Sequence, residues 1–269
     1  MRKKLIAFVL LVIALSLVAP VSAVKFGTND NGAHPQVGLI VFYNENDVPQ
    51  WRCTGTLISP TLMVTAAHCT ELEKGARVWF DDYVPLGDPN TQTGYPWNGG
   101  ITGYADASPW WQGGLFLPDT GDVGVVVLDQ AVDLPYYASL APAGFLDDLA
   151  TRRGNQDVQF TVVGYGLQSV KPVYSSFRQR MWANVQLVNL RSALTDGYNL
   201  QTTNSPGKGH GSGGTCFGDS GGGIFNAEYQ IVAVNSFVMN ANCAGASFGY
   251  RTDRQAVIDW INGPHPDLR

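Results

Sequence analysis

Gly218-Asp219-Ser220-Gly221-Gly222, taken with Thr65-Ala66-Ala67-His68-Cys69 and Gly121-Asp122-Val123-Gly124-Val125-Val126-Val127-Leu128, decides how this chain is read. The first run sets a serine hydroxyl on a glycine-rich turn, beside free backbone N–H groups. The second supplies an imidazole. A serine hydroxyl is a poor nucleophile at neutral pH until a base takes its proton, so the two runs mean more together than apart. The third places Asp122 just ahead of an apolar strand. Asp119 and Asp129 compete with it but read more simply as turn residues. Histidine, aspartate and serine thus follow in that chain order.

Chain order matters because Gly-x-Ser-x-Gly also describes the nucleophile elbow of α/β-hydrolases, in which the histidine follows the serine. Here the only histidine after Ser220 is His265, in a Pro-His-Pro setting near the end of the chain. The alternating helices that an α/β fold requires are missing too. Short runs rich in Val, Ile and Phe recur instead between Gly, Pro and Asn clusters: Val37 to Tyr43, Thr56 to Ile58, Leu62 to Thr65, Val123 to Leu128, Val158 to Val163, Val185 to Leu190 and Gln230 to Val234. That pattern predicts many short antiparallel strands. One helix is expected, Asp253 to Ile261, with Asp253 as its N-cap and Gly263-Pro264 as its stop. Asp81 to Pro118, with Trp97, Trp110 and Trp111, reads as long surface loops. Its tryptophans either close a loop locally or form a substrate platform.

The first 23 residues read as a secretory signal: a basic start at Arg2, Lys3 and Lys4, an apolar run from Leu5 to Ala19, and the small-residue site Val21-Ser22-Ala23. The apolar run is shorter than the roughly 20 residues a membrane span needs, so no stable membrane anchor is expected. A net charge of −5 argues against a nucleic-acid partner. Charged residues make up 14% of the chain, too few for a disordered acidic tail. All four cysteines lie beyond the signal segment, and an even count in an exported chain favours disulfides. Four cysteines allow three pairings, among which the sequence does not choose; the short-range pairs Cys53–Cys69 and Cys216–Cys243 are the simplest expectation. A zinc site at Cys69 and His68 would need adjacent ligands without a Cys-x-x-Cys partner, against the usual spacing. No metal or organic cofactor is expected. His34 and His210, set among glycine, proline and polar residues, are expected on the surface.

With these runs in place the chain resembles the trypsin/chymotrypsin family of serine proteases. Cys53-Thr54-Gly55-Thr56-Leu57-Ile58 resembles the strand before that family's catalytic histidine, and Val162-Val163-Gly164-Tyr165-Gly166 its Gly-Trp-Gly segment. The Trp260 helix fits as well. The resemblance implies an all-β fold of two six-stranded antiparallel Greek-key barrels with a C-terminal helix and the active site in the cleft between them. The expected division is a signal peptide at 1–23, a first barrel at 24–140 carrying His68 and Asp122, and a second at 141–269 carrying Ser220. The implied activity is a secreted serine endopeptidase, monomeric, acting on protein or peptide. Ser220 attacks the carbonyl, His68 moves the proton, Asp122 orients the imidazole, and the N–H groups of Gly218 and Ser220 form the oxyanion hole. Two alternatives share these residues: a catalytically silent binding module, and an esterase.

The same resemblance implies a specificity pocket at Gly214, six residues before the serine, and at Ser236-Phe237-Val238. Trypsin-like enzymes carry an aspartate where Gly214 stands, so cleavage after Arg or Lys is not expected. Val238 would narrow the mouth and Phe248 could intrude, which favours small or medium apolar residues. The family's Ile-Val-Gly-Gly N-terminus is missing; Val24-Lys25-Phe26-Gly27 stands in its place. Signal cleavage would then free the amine of Val24 to pair with Asp219.

Overall fold

The β-branched and aromatic runs fold as strands because a branched side chain packs well on a pleated, half-buried surface. The computed structural model describes residues 24–71, 75–149, 157–171, 174–207 and 211–265. The signal segment 1–23 and His210 lie outside them. In chain order the strands are β1 Thr28–Asn29, β2 Val37–Tyr43, β3 Pro49–Leu57, β4 Leu62–Thr65, β5 Gly75–Trp79, β6 Ile101–Ala107, β7 Gly124–Leu128, β8 Ser139–Leu140, β9 Gln159–Gly164, β10 Met181–Asn189, β11 Asn199–Thr203, β12 Gly223–Phe225, β13 Gln230–Val238 and β14 Ala246–Arg251. A one-turn helix α1, Ala67–Thr70, follows β4, and α2, Gln255–Ile261, is the last element of the described chain.

Strands β2-β3-β4-β7-β6-β5 close into an antiparallel barrel, with β5 returning to β2 at Leu39↔Trp79. Strands β10-β11-β14-β13-β12-β9 close a second one, because β9 pairs back onto β10 from Gln159↔Gln186 to Gly164↔Met181. The short strands β1 and β8 add to this second barrel at β10 and β13. Residues 28–29 and 139–140, within the stretch expected for the first barrel, therefore pair with the second.

Strand β2 explains how the barrels dock. All seven of its residues are buried. Ile40 and Phe42 face the interior of the first barrel beside Leu57, Met63 and Val126. Val37, Leu39, Val41 and Tyr43 point the other way, into a cluster shared with Val163, Tyr165, Phe225 and Val234 of the second barrel. Alternation puts successive side chains on opposite faces, so a strand sandwiched between two cores reads as a continuous apolar run. Each such side chain contributes about 1.5–3 kcal/mol by leaving water. The second barrel encloses its own core around Phe160, Val162, Val185 and Ile224.

Three expectations are corrected. Residues 101–107 form a strand rather than loop; Gly103 and Ala105 are small enough to lie against β7, which hides the strand from a search for large apolar residues. Asp253 does not cap α2. Its carboxylate instead accepts hydrogen bonds from the Arg251 guanidinium and from Leu146 N–H, and Arg254 stands at the cap position. His34 is buried, its Nδ1 paired with Asp30 and its ring set beside Phe225 and Tyr229. The same Asp30 holds Arg180, a buried guanidinium that also donates to Val37 C=O, Phe80 C=O, the Tyr165 hydroxyl and Asp82, so one cation ties the two barrels.

Candidate active site

The cleft between the barrels collects the three sequence runs. Cys69, next to His68 in α1, is bonded to Cys53 of β3, and Trp51 Nε1–H donates to Cys69 C=O at 2.8 Å. That disulfide fixes α1 to the strand behind it; it also takes up the thiols a zinc ion would need at Cys53 and Cys69. His68 donates twice to Asp122: its backbone N–H to Oδ1 and its Nδ1–H to Oδ2, each at 2.8 Å. Asp122 is fully buried just before β7 and also accepts from the Ser236 hydroxyl. Asp119 instead accepts from Gly121 N–H and the Tyr250 hydroxyl, and Asp129 from Thr102 on the surface.

The protonation states follow from these contacts. Burial pushes the Asp122 carboxyl up, but the His68 charge and the hydrogen bonds of His68 and Ser236 outweigh it and hold it below the usual range. Burial pushes the His68 imidazole down; the Asp122 charge, its hydrogen bond and Glu71 together raise it above its ordinary value. With Nδ1–H committed to Asp122, Nε2 is the ring nitrogen left to take up a proton.

The serine run is held from behind. Thr54 N–H donates to Ser220 C=O at 2.8 Å, Thr54 Oγ1–H to Gly218 C=O at 2.8 Å, and Gly221 N–H to Asn235 C=O at 2.7 Å. Gly218 adopts φ +97°, a conformation that favours glycine. Gly221, at φ +79°, has no room for a side chain, since a Cβ would stand 2.7 Å from Ala66 N. Among the described residues the N–H groups of Gly218 and Ser220 have no acceptor, which leaves two uncommitted donors on the turn that carries the serine. The hydroxyl of Ser220 makes no hydrogen bond to His68 here, yet both line one cavity of about 340 Å³. Such bonds are often long before substrate closes the site.

Ser236, Phe237 and Val238 line that cavity, joined by Leu115, Thr215, Cys216, Phe217 and Asn235, which the sequence did not single out. Leu115 begins an exposed apolar triplet with Phe116 and Leu117. The tryptophans of that region do not reach the cavity: Trp110 packs edge-on against Trp260, and Trp97 and Trp111 are half-buried elsewhere. Phe248 stacks on Phe237, ring centroids 4.5 Å apart, behind the wall rather than inside it. Gly214 lies behind the lining too. Its N–H donates to Lys25 C=O, and the Asn204 side chain occupies the space a side chain at 214 would fill. Asn204 in turn bonds Thr215 N–H and C=O. Cys216 is bonded to Cys243, so both cystines follow the short-range pairing.

Among the described residues no hydrogen bond or ion pair joins Val24 to Asp219. Val24 is buried in the core of the second barrel, and Lys25 pairs with Gly214. The Asp219 carboxylate accepts from Cys216 N–H and Gly166 N–H. Burial pushes it up to about 7, against those two bonds and the Arg52 charge. Among the described residues no cation touches it.

The chain is similar in sequence and in fold to known proteins. The family model described as Trypsin matches residues 27–261. Chymotrypsin-like elastase family member 1 of Bos taurus is 28% identical over 220 residues, covering 78% of this chain and 77% of its own. Scolexin B of Heliothis virescens is 26% identical, over 78% and 73%. Among solved structures, HL collagenase superposes with a TM-score of 0.66 at 17% identity, covering 89% of this chain and 96% of its own. Human heparin binding protein does so at 0.62 and 19%, over 90% and 98%.

Proposed function

The chain belongs to the trypsin family of serine endopeptidases, and on that premise we propose that it cleaves polypeptides through an acyl-enzyme formed on Ser220, with His68 as general base and acid and Asp122 as its positioning partner. The observation that carries the reading is the doubly hydrogen-bonded His68–Asp122 pair at the cavity that Ser220 also lines. The Ser220 Oγ attacks the substrate carbonyl carbon while its proton passes to His68 Nε2. The carbonyl π-electrons move to oxygen, and that oxyanion accepts from Gly218 and Ser220 N–H. Collapse re-forms the C=O and breaks the C–N bond as His68 returns the proton to the leaving nitrogen. Water then repeats the sequence against the acyl group. Asp122 stays ionised throughout and stabilises the imidazolium.

The cavity walls, mostly Leu115, Phe217, Phe237 and Val238, carry no carboxylate, which supports cleavage after an uncharged residue rather than Arg or Lys. The pairing of Lys25 with Gly214, close in sequence to Asp219, supports activation by removal of residues 1–23. An ammonium freed at Val24 would give the buried Asp219 the cation it lacks, and export would make the mature enzyme extracellular or periplasmic. The proposed division is a first barrel at 24–140 and a second at 141–269, with residues 28–29 and 139–140 of the first stretch lending short strands to the second barrel. A fluorophosphonate probe tests the core of this reading. Labelling that disappears in Ser220→Ala supports it; absence of labelling in protein beginning at Val24 would favour a silent binding module on the same fold.

A further inference from the structure

Asn235 stands in the cavity wall with a carboxamide that the fold does not use. It lies on β13, and its backbone is fully engaged: its N–H donates to Gly222 C=O at 2.9 Å and its C=O accepts from Gly221 N–H at 2.7 Å. The side chain is 3% exposed, and both its Oδ1 and its Nδ2 are buried without a hydrogen-bond partner. The other polar side chains of the lining are committed. Thr215 Oγ1 donates to Asn204, Ser236 to Asp122, and His68 Nδ1 to Asp122. Ser220 is the proposed nucleophile. An unpaired buried donor and acceptor are costly, and an apolar side chain of equal shape at this strand position would avoid that cost.

We propose that Asn235 is the specificity residue of the cleft: its carboxamide pairs with a carboxamide on the substrate, so that the enzyme cleaves after glutamine or asparagine. A primary amide presents one donor and one acceptor to the acceptor and donor of Asn235. A hydroxyl can match only one of them at a time, and an apolar side chain neither. A substrate ammonium would find no carboxylate, and a substrate carboxylate no Lys or Arg, on this wall. The walls formed by Leu115, Phe217, Phe237 and Val238 are apolar and suit the aliphatic stem of glutamine. The inference rests on the cleft being the substrate site of the proposed endopeptidase and narrows its uncharged preference to an amide.

The test uses quenched peptides identical except for Gln, Met or Leu before the scissile bond. The wild-type ratio of kcat/KM for Gln over Met, side chains of equal length, is expected at about ten-fold or more, the worth of one to two net hydrogen bonds. Asn235→Leu keeps the shape and should bring the ratio to about one. A wild-type ratio of one or below, or a ratio that survives in Asn235→Leu, overturns the inference. Binding separates it from the catalytic reading. In Ser220→Ala, product peptides ending in Gln should bind about ten-fold tighter than those ending in Met. Equal binding sinks the specificity role even in an active enzyme. Amide-dependent binding without turnover in the wild type sinks catalysis and leaves the role standing.

Discussion

Replacing Asp122 with asparagine tests the electrostatics of the site without changing its shape. The carboxylate receives three donors, all of which it accepts: His68 N–H at Oδ1, and His68 Nδ1–H and the Ser236 hydroxyl at Oδ2. An asparagine has one oxygen and one NH2 for the same places. With its NH2 at the Oδ2 position it faces Nδ1 and forces the imidazole into the tautomer with hydrogen on Nε2, which cannot take a proton from Ser220. With its NH2 at the Oδ1 position it meets the His68 backbone N–H, donor against donor, inside a fully buried site. In either case the negative charge that stabilises the imidazolium is gone. Loss of that charge and tautomer is worth about 10⁴ in rate, or about 5 kcal/mol of transition-state stabilisation. The assay is kcat/KM on a peptide substrate beside the wild type, with circular dichroism to verify folding. A folded Asp122→Asn enzyme within ten-fold of wild type would refute the assigned role.

Other outcomes follow from the same contacts. Activity should rise with pH as His68 loses its proton, with a midpoint above the ordinary imidazole value; a midpoint below it would contradict the Asp122 pairing. Arg180→Met removes a buried cation and leaves Asp30 with His34 as its remaining partner, which should cost about 3 kcal/mol and lower Tm by about 10 °C; a drop under about 2 °C in a thermal melt would show that the network does not join the barrels. Asp219 in the uncleaved chain titrates near 7, above its unfolded range. Its contribution is therefore fully favourable below the ordinary carboxyl range and is lost as pH rises through about 7. Denaturant melts between pH 4 and 8 should show stability falling with pH in the uncleaved chain, and less so in protein starting at Val24. Activity that is unchanged when one extra residue precedes Val24 would overturn the activation proposal.

What the sequence determined by itself is whatever depends on local chemistry and chain order. Apolar runs at strand spacing predict strands, since the pleat repeats every two residues. Gly-Asp-Ser-Gly-Gly announces a turn that only glycine can make, and the order His68, Asp122, Ser220 excludes the α/β elbow. The choice of Asp122 over its neighbours came from its place before an apolar run. Strand β6 was hidden because small residues carry little apolar signal, and His34 because a glycine-proline setting says nothing of Asp30 and Arg180 across the fold. Only the tertiary structure decided which cysteines meet, that β2 serves two cores at once, and that Asn204 fills the space beside Gly214. The unpaired amide of Asn235 belongs to the same class. Whether a polar side chain is satisfied depends on partners distant in sequence, and these come within hydrogen-bonding range only when the two barrels close.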